Sequence, residues 1–201
     1  NIIAAADRLQ VVLEDARGIV SAYHNKYPLR IGIPKEELKS WLRMPVKFLN
    51  ILLREWIERE VLKEQDGKIS IAGREIQLSS KEMELKESLL SEFRKSPYKP
   101  PSTKDCLSLA GDEVFNMMLE QNFLVQVSED VVFLKDVYQE MTAFVLEYLK
   151  ENGVITVAQF RDNYDTSRKF ALAFLEHLDD QKITIRTGDE RILSLKTKTQ
   201  T

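Results

Sequence analysis

The residues of this chain best able to do chemistry are a few cations near its C-terminal end. In the run RDNYDTSRKFALAFLEHLDDQKITIRTGDERILSL, Arg161 to Leu195, Arg168 and Lys169 follow Asp165, Thr166 and Ser167. Asp165 or Thr166 can N-cap a helix, since either side chain can accept from a free backbone N–H of the first turn. Ala171, Phe174, Leu175 and Leu178 then recur at i, i+3, i+4 and i+7, which is one apolar helical face. Arg168 and Lys169 therefore fall in the first turn. The helix dipole is already positive there, so two cations cost local stability. Beside unpaired N–H groups they make a good site for a phosphate. Arg161 lies before the helix, and Arg186 and Arg191 lie after it. The plainer reading is that these cations are solubilising charges paired with Asp162, Asp165, Asp189 and Glu190, because charge runs are usually solvated faces.

The elements that must hold these cations are legible on either side. Ile183 and Ile185 alternate with Thr184 and Arg186, Gly188-Asp189 is a turn signal, and Arg191 to Leu195 returns. A helix followed by such a hairpin reads as the recognition helix and wing of a winged helix. Upstream, Asp136 is the expected cap of a helix that Asn152-Gly153 ends. A short strand at Ile155–Val157 and a helix over Ala158–Asn163 follow.

The same order of elements occurs twice more. Arg8 to Lys26 reads as a helix, with Leu9, Val12, Leu13, Ala16, Val20 and Tyr23 at helical spacing and Tyr27-Pro28 as its stop. Pro34 opens a second helix in its first turn, with Leu38, Trp41 and Leu42 as the apolar side. Pro45 starts a third, with Phe48, Leu49, Leu52, Leu53 and Trp56 facing inward, and a hairpin turns at Asp66-Gly67. A shorter version begins at Ser79-Ser80. It continues through the proline-rich loop SPYKPPS, two helices broken at Gly111, and strands near Phe123–Val127 and Val131–Leu134. The expected fold class is mostly α with small β-hairpins (α+β). It is a tandem array of three winged-helix domains at 1–78, 79–134 and 135–201, the second a shorter adaptor. A period of about 60 residues exceeds that of the common solenoid repeats.

The chain has 201 residues, a net charge of −3 and a hydrophobic fraction of 43%, enough for packed cores. Its acidic balance argues mildly against nucleic acid, but binding surfaces are local. One cysteine, Cys106, cannot form an internal disulfide, which suits a reducing, cytoplasmic setting. No apolar run is long enough for a membrane span, so no membrane is expected as a partner. The opening NIIAAADRLQ has no basic segment before an apolar core and reads as the start of a fragment rather than a signal peptide.

Catalysis is not expected. His24 and His177 stand in no metal-ligand spacing with Cys106, and neither phosphate-loop nor dinucleotide glycine motif is present. Carboxylate pairs such as Glu36-Glu37 and Asp179-Asp180 read as solvated positions. The chain is read as a non-enzyme with no metal and no cofactor. The three recognition helices differ instead in charge. The first carries Lys47 and Arg54 among Glu55, Glu58 and Glu60, and the second begins with Asp112 and Glu113. The third alone opens with two cations.

At these residues the sequence resembles a known family. VAQFRDNYDTSRKFALAFLEHLDDQKITIRTGDERIL is similar to the last winged-helix domain of bacterial SelB, the selenocysteine-specific elongation factors. The matching parts are Phe160-Arg161-Asp162, the run Thr166 to Leu172, the wing turn Gly188-Asp189, and Arg191. Tyr27 to Leu38, YPLRIGIPKEEL, resembles an upstream winged helix of the same family. Two positions depart from the pattern: Asp165 where glycine is frequent, and Ile185 where a wing arginine is common. The resemblance implies an RNA-binding site at Arg161, Thr166, Ser167, Arg168, Lys169, Arg186 and Arg191. It implies a selenocysteine insertion (SECIS) hairpin of messenger RNA as the partner, bound during UGA recoding. The ribosome and selenocysteinyl-tRNA would be reached through the GTP-binding domains of a full-length factor, and this part would be a monomer. Two alternatives remain at this point: a DNA-binding regulator, and a tandem winged-helix scaffold for protein interactions. The first would want a recognition helix rich in Arg, Asn and Gln, whereas the outer side after Lys169 offers only Ala173, Glu176 and His177.

Overall fold

The computed structural model describes the backbone of residues 2–194 and the side chains of residues 8–194. Leu195, expected at the end of the returning strand, lies outside them, as do 196–201. The chain separates into two compact units, with the division after Ser80.

In the first unit, α1 (Ile2–Lys26) is followed by β1 (Ile33–Pro34), α2 (Lys35–Leu42), α3 (Val46–Glu58), β2 (Leu62–Gln65) and β3 (Lys68–Ile71). The strands form an antiparallel sheet in the order β1-β3-β2. One core joins Leu13, Ala16 and Val20 of α1 to Leu38, to Leu49, Leu52, Leu53 and Trp56 of α3, and to Ile33, Leu62 and Ile69 of the sheet. Pro34 and Pro45 are N-caps rather than first-turn residues, with ψ of 134° and 137°. A fixed proline φ suits this extended entry as well as it suits the first turn. Two residues expected inside are outside: Trp41 is 64% and Phe48 53% exposed. Leu49, Leu52, Leu53 and Trp56 already complete the inward stripe of α3, and Phe48 lies about 100° behind it.

The second unit starts with α4 (Ser80–Lys95) and α5 (Thr103–Glu120). Ser102 and Asp105 cap α5 reciprocally, and the helix breaks at Gly111, whose φ of 74° is open to glycine. A hairpin of β4 (Leu124–Gln126) and β5 (Val132–Leu134) follows, and a bridge between Ser102 and Val131 stands beside it. Next come α6 (Lys135–Asn152), β6 (Ile155–Thr156), α7 (Val157–Asn163), α8 (Arg168–Asp180), β7 (Thr184–Thr187) and β8 (Glu190–Leu193). The sheet order is β6-β8-β7. Asp136 does not cap α6: the N-cap is Leu134, directly at the end of β5, and Asp136 accepts only from the N–H of Val137. The strand runs into the helix without a linker. Its Phe133 packs edge-on against Phe174 of α8 at 6.1 Å, and Phe160 of α7 stacks on Phe174 at 5.0 Å. Residues 81–134 thus share their packing with the last winged helix.

From β1 onward the elements of the first unit recur in the last winged helix at an offset of 122 residues. Ile33–Pro34 answers Ile155–Thr156, Val46–Glu58 answers Arg168–Asp180, and Leu62–Gln65 answers Thr184–Thr187. Tandem winged-helix architecture, mostly α with small antiparallel hairpins, is the fold.

Candidate nucleic-acid interface

The N-cap of α8 is Ser167, not Asp165 or Thr166, and its side chain makes no capping hydrogen bond. The first intrahelical bond runs from the Ala171 N–H to the Ser167 carbonyl at 3.1 Å. The N–H groups of the turn before it therefore have no intrahelical acceptor, as at any helix start. Arg168 stands on that turn, exposed, and makes no hydrogen bond or ion pair with the described residues. A cation and free N–H groups at one helix start would together attract an anion.

The other six candidate residues divide sharply. Arg161 is tied to its neighbour, with Nε and Nη2 donating to Asp162 at 2.8 and 2.6 Å. Arg186 is exposed on β7, with Nε donating to the Gly188 carbonyl at 2.9 Å and Glu176 at 4.0 Å. Both pairs are solvent-facing and exchangeable, so a phosphate can compete for either guanidinium. Ser167 is exposed at the cap. Lys169 forms an ion pair with Asp130 in the β4–β5 turn. Thr166 is turned inward, and its hydroxyl donates to the carbonyl of Tyr98.

Arg191 lies apart from the rest. It is 1% exposed, with Nε donating to Asp179 at 3.0 Å, while the other oxygen of Asp179 accepts from Thr184 at 2.6 Å. It is a core residue of the wing, and the structure does not bring it to the surface with the other cations. Strand alternation alone left both faces open to it, and its partner sits on α8.

Three neighbours had no motif to announce them. Lys99 reaches Asp165 at 3.2 Å, Tyr98 packs on Tyr164 at 4.6 Å, and Asp130 meets Lys169. All three belong to the stretch before α6. The only trace in the sequence is an aromatic and a lysine set among the prolines of SPYKPPS. Burial raises the Tyr164 hydroxyl well above its ordinary value, with Glu140 and Tyr98 adding to it. Asp165 has a φ of 44°, in the left-handed region that favours glycine and that aspartate tolerates.

Elsewhere the chemistry is quiet. Burial pushes the Cys106 thiol up to about 12, so it is no nucleophile at neutral pH. Burial lowers the pKa of His177, with Asp180 opposing, and its ring packs on Tyr138 at 5.6 Å. Among the described residues no group of three or more His, Cys, Asp or Glu could hold a metal ion, and no helix is long and apolar enough to cross a membrane.

Comparison with known proteins gives two family matches. Residues 18–70 and 147–193 each match a family described as "Elongation factor SelB, winged helix", the second and third winged-helix domains respectively. A selenocysteine-specific elongation factor of Desulfomicrobium baculatum is 30% identical over 178 residues, 84% of this chain. The chain spans 28% of that relative's length. Among solved structures, the mRNA-binding domain of elongation factor SelB from E. coli in complex with SECIS RNA is 21% identical. The match covers 58% of this chain and 99% of that one, with a TM-score of 0.48. A bacterial selenocysteine-specific elongation factor EF-Sec is 17% identical over 92% of this chain and 30% of that one, also at 0.48.

Proposed function

The chain belongs to the SelB elongation-factor family, and from that premise we propose that it is the messenger-binding part of such a factor. Its ligand is a selenocysteine insertion hairpin, and the last winged helix, residues 135–201, carries the site. The observation that carries this reading is Arg168, exposed and without a partner among the described residues, at a helix start that no side chain caps. A-form RNA hides its major groove, so a small protein gains most from phosphates, 2′-hydroxyls and the unpaired bases of loops and bulges. A helix tip with free N–H groups, a guanidinium and a hydroxyl at Ser167 meets such groups end-on. Arg161 and Arg186 flank it with exchangeable partners, and Lys169 adds a charge shared with Asp130. Arg191 supports the wing from within.

In the whole factor, GTP-binding domains would carry selenocysteinyl-tRNA to a ribosome in the cytoplasm, and this part would tether them to the message. Residues 1–78 and 79–134 act as spacer and adaptor. The test is titration of the full chain with a SECIS hairpin, its duplex stem alone, and DNA of matched sequence. The hairpin should bind tightest and the stem weakest of the two RNAs. Equal affinity for all three, or none, would sink the reading and leave a protein-interaction scaffold.

A further inference from the structure

Resting on that reading, we propose that Thr166 and Tyr98 are positioning residues for the RNA-binding edge. The loop before α5 would clamp the α7–α8 turn so that Arg168 is presented in one geometry. Three consecutive residues of that turn are each held by the loop. Tyr164 packs its ring on Tyr98 at 4.6 Å, Asp165 accepts from Lys99 at 3.2 Å, and the Thr166 hydroxyl donates to the Tyr98 carbonyl. Tyr98 is itself fixed, its hydroxyl donating to Glu140 of α6 at 2.8 Å. Pro97, Pro100 and Pro101 stiffen the loop around it.

The corresponding turn of the first unit shows that a winged helix does not need such a clamp. There Arg43 takes the same left-handed conformation as Asp165, with φ of 51° against 44°. Its neighbours Leu42 and Met44 simply pack on their own core. The last winged helix has instead a buried threonine whose hydroxyl leaves its own domain. A clamp of this kind lowers the ordering cost of binding, because the cation and the free N–H groups are already aimed. Thr166 and Tyr98 would thus act through Arg168 without touching RNA.

The experiment uses the full chain and a fluorescent SECIS hairpin. Thr166→Val keeps the shape and removes the hydroxyl. It should weaken binding about three- to tenfold, the worth of one net hydrogen bond, with the salt slope unchanged. Thr166→Ser should restore affinity to within about twofold of wild type, since the bond returns. Arg168→Ala should cost less in the Thr166→Val chain than in wild type, because a misplaced guanidinium has less to lose. Tyr98→Phe, which frees the loop from Glu140 without altering α8, should weaken binding in the same coupled way. Wild-type affinity in Thr166→Val, or losses that simply add to that of Arg168→Ala, would overturn the proposal. If Thr166→Val unfolds the chain, Tyr98→Phe decides: affinity equal to wild type overturns the clamp. Failure of the wild-type chain to bind the hairpin refutes the functional reading itself, whereas binding that ignores these variants refutes only the clamp.

Discussion

Helices α3 and α8 are the same element built twice. Both have 13 residues, and their buried positions coincide at the offset of 122: Leu49, Leu52, Leu53 and Trp56 against Ala171, Phe174, Leu175 and Leu178. The contrast in charge lies at the start. Pro45 stands where α8 has Ser167, and Val46 where it has Arg168. Val46 is exposed on α3, so that helix presents apolar surface where α8 presents Arg168, while the next position is a lysine in both, Lys47 and Lys169. The fold therefore sets no requirement for a cation at the first helical position. Arg168 opposes the helix dipole without a packing reason, and the proposed RNA contact would account for it.

The wings differ in the opposite sense, and here the largest effect is expected. Arg191 occupies the position of Ile69, Asp179 that of Ile57, and Thr184 that of Leu62. Leu62 and Ile69 belong to the apolar core of the first unit, whereas their counterparts Thr184 and Arg191 are buried around the half-buried carboxylate of Asp179. Removing one member of a buried pair leaves the other charge uncompensated. Arg191→Ala should destabilise the second unit by about 3–5 kcal/mol in denaturant unfolding. The triple exchange Arg191→Ile, Asp179→Ile and Thr184→Leu should recover most of that loss, since apolar replacement of a buried pair is often neutral. An Arg191→Ala chain of wild-type stability that loses RNA affinity would return Arg191 to the binding surface and break the comparison.

A second contrast is one of titration. His24 of α1 is 6% exposed, and neither ring nitrogen has a hydrogen-bond partner among the described residues. Burial, with Arg74 nearby, lowers its pKa from 6.5 to about 4. Above pH 6.5 both native and unfolded forms are neutral and the first unit keeps its full stability. As pH falls towards 4 the unfolded chain takes up a proton that the native state refuses, and stability drops. The loss should be on the order of 2–3 kcal/mol and complete only below about pH 4. His24→Leu should lack this component, so the stability difference between wild type and variant should change by that amount between pH 7 and pH 4. A difference that stays constant from pH 7 to pH 4 would show that the imidazole is hydrated in solution.

Arg168 sharpens the comparison directly, at a smaller cost. Arg168→Val places the first unit's residue at the same helical position. It should keep or slightly raise the melting temperature while weakening hairpin binding by about 1–2 kcal/mol. The salt slope should fall by about one counterion if a phosphate is the target. A fall in stability with unchanged affinity would make Arg168 structural after all.

Most of the fold could be read from periodicity and punctuation. The apolar spacing of α8, the Gly188-Asp189 turn and the break at Gly111 are local signals with local causes. Trp41 and Phe48 misled because hydrophobicity reports what a residue tolerates, and a helix whose inward stripe is already full leaves the next aromatic outside. Within the candidate site, Arg168 was legible because its oddity is local, a cation against a dipole. The core position of Arg191 was not, because it depends on hairpin register and on Asp179 in another element. The clamp on Thr166 was least accessible of all, since the carbonyl it meets is 68 residues away.

Lys169 gives the finest test, because it has the same charge as Arg168 on the same turn but not the same freedom. Its ammonium is already paired with Asp130, at 54% and 51% side-chain exposure. A solvent-exposed pair of this kind contributes roughly 0–1 kcal/mol, so the lysine can exchange Asp130 for a phosphate at little cost. Lys169→Ala should therefore weaken hairpin binding by less than Arg168→Val does, about 0.5 kcal/mol, because part of its attraction is already spent on the carboxylate. Asp130→Asn separates the two roles of that pair. If the carboxylate only screens Lys169, the variant should bind RNA slightly tighter and with a steeper salt slope. If it aims Lys169, the variant should bind more weakly. The first outcome is expected, since an ammonium on a flexible four-carbon stem needs no fork to point it. Weaker binding in Asp130→Asn would instead make the β4–β5 turn a second hold on the recognition helix, beside the loop that carries Tyr98.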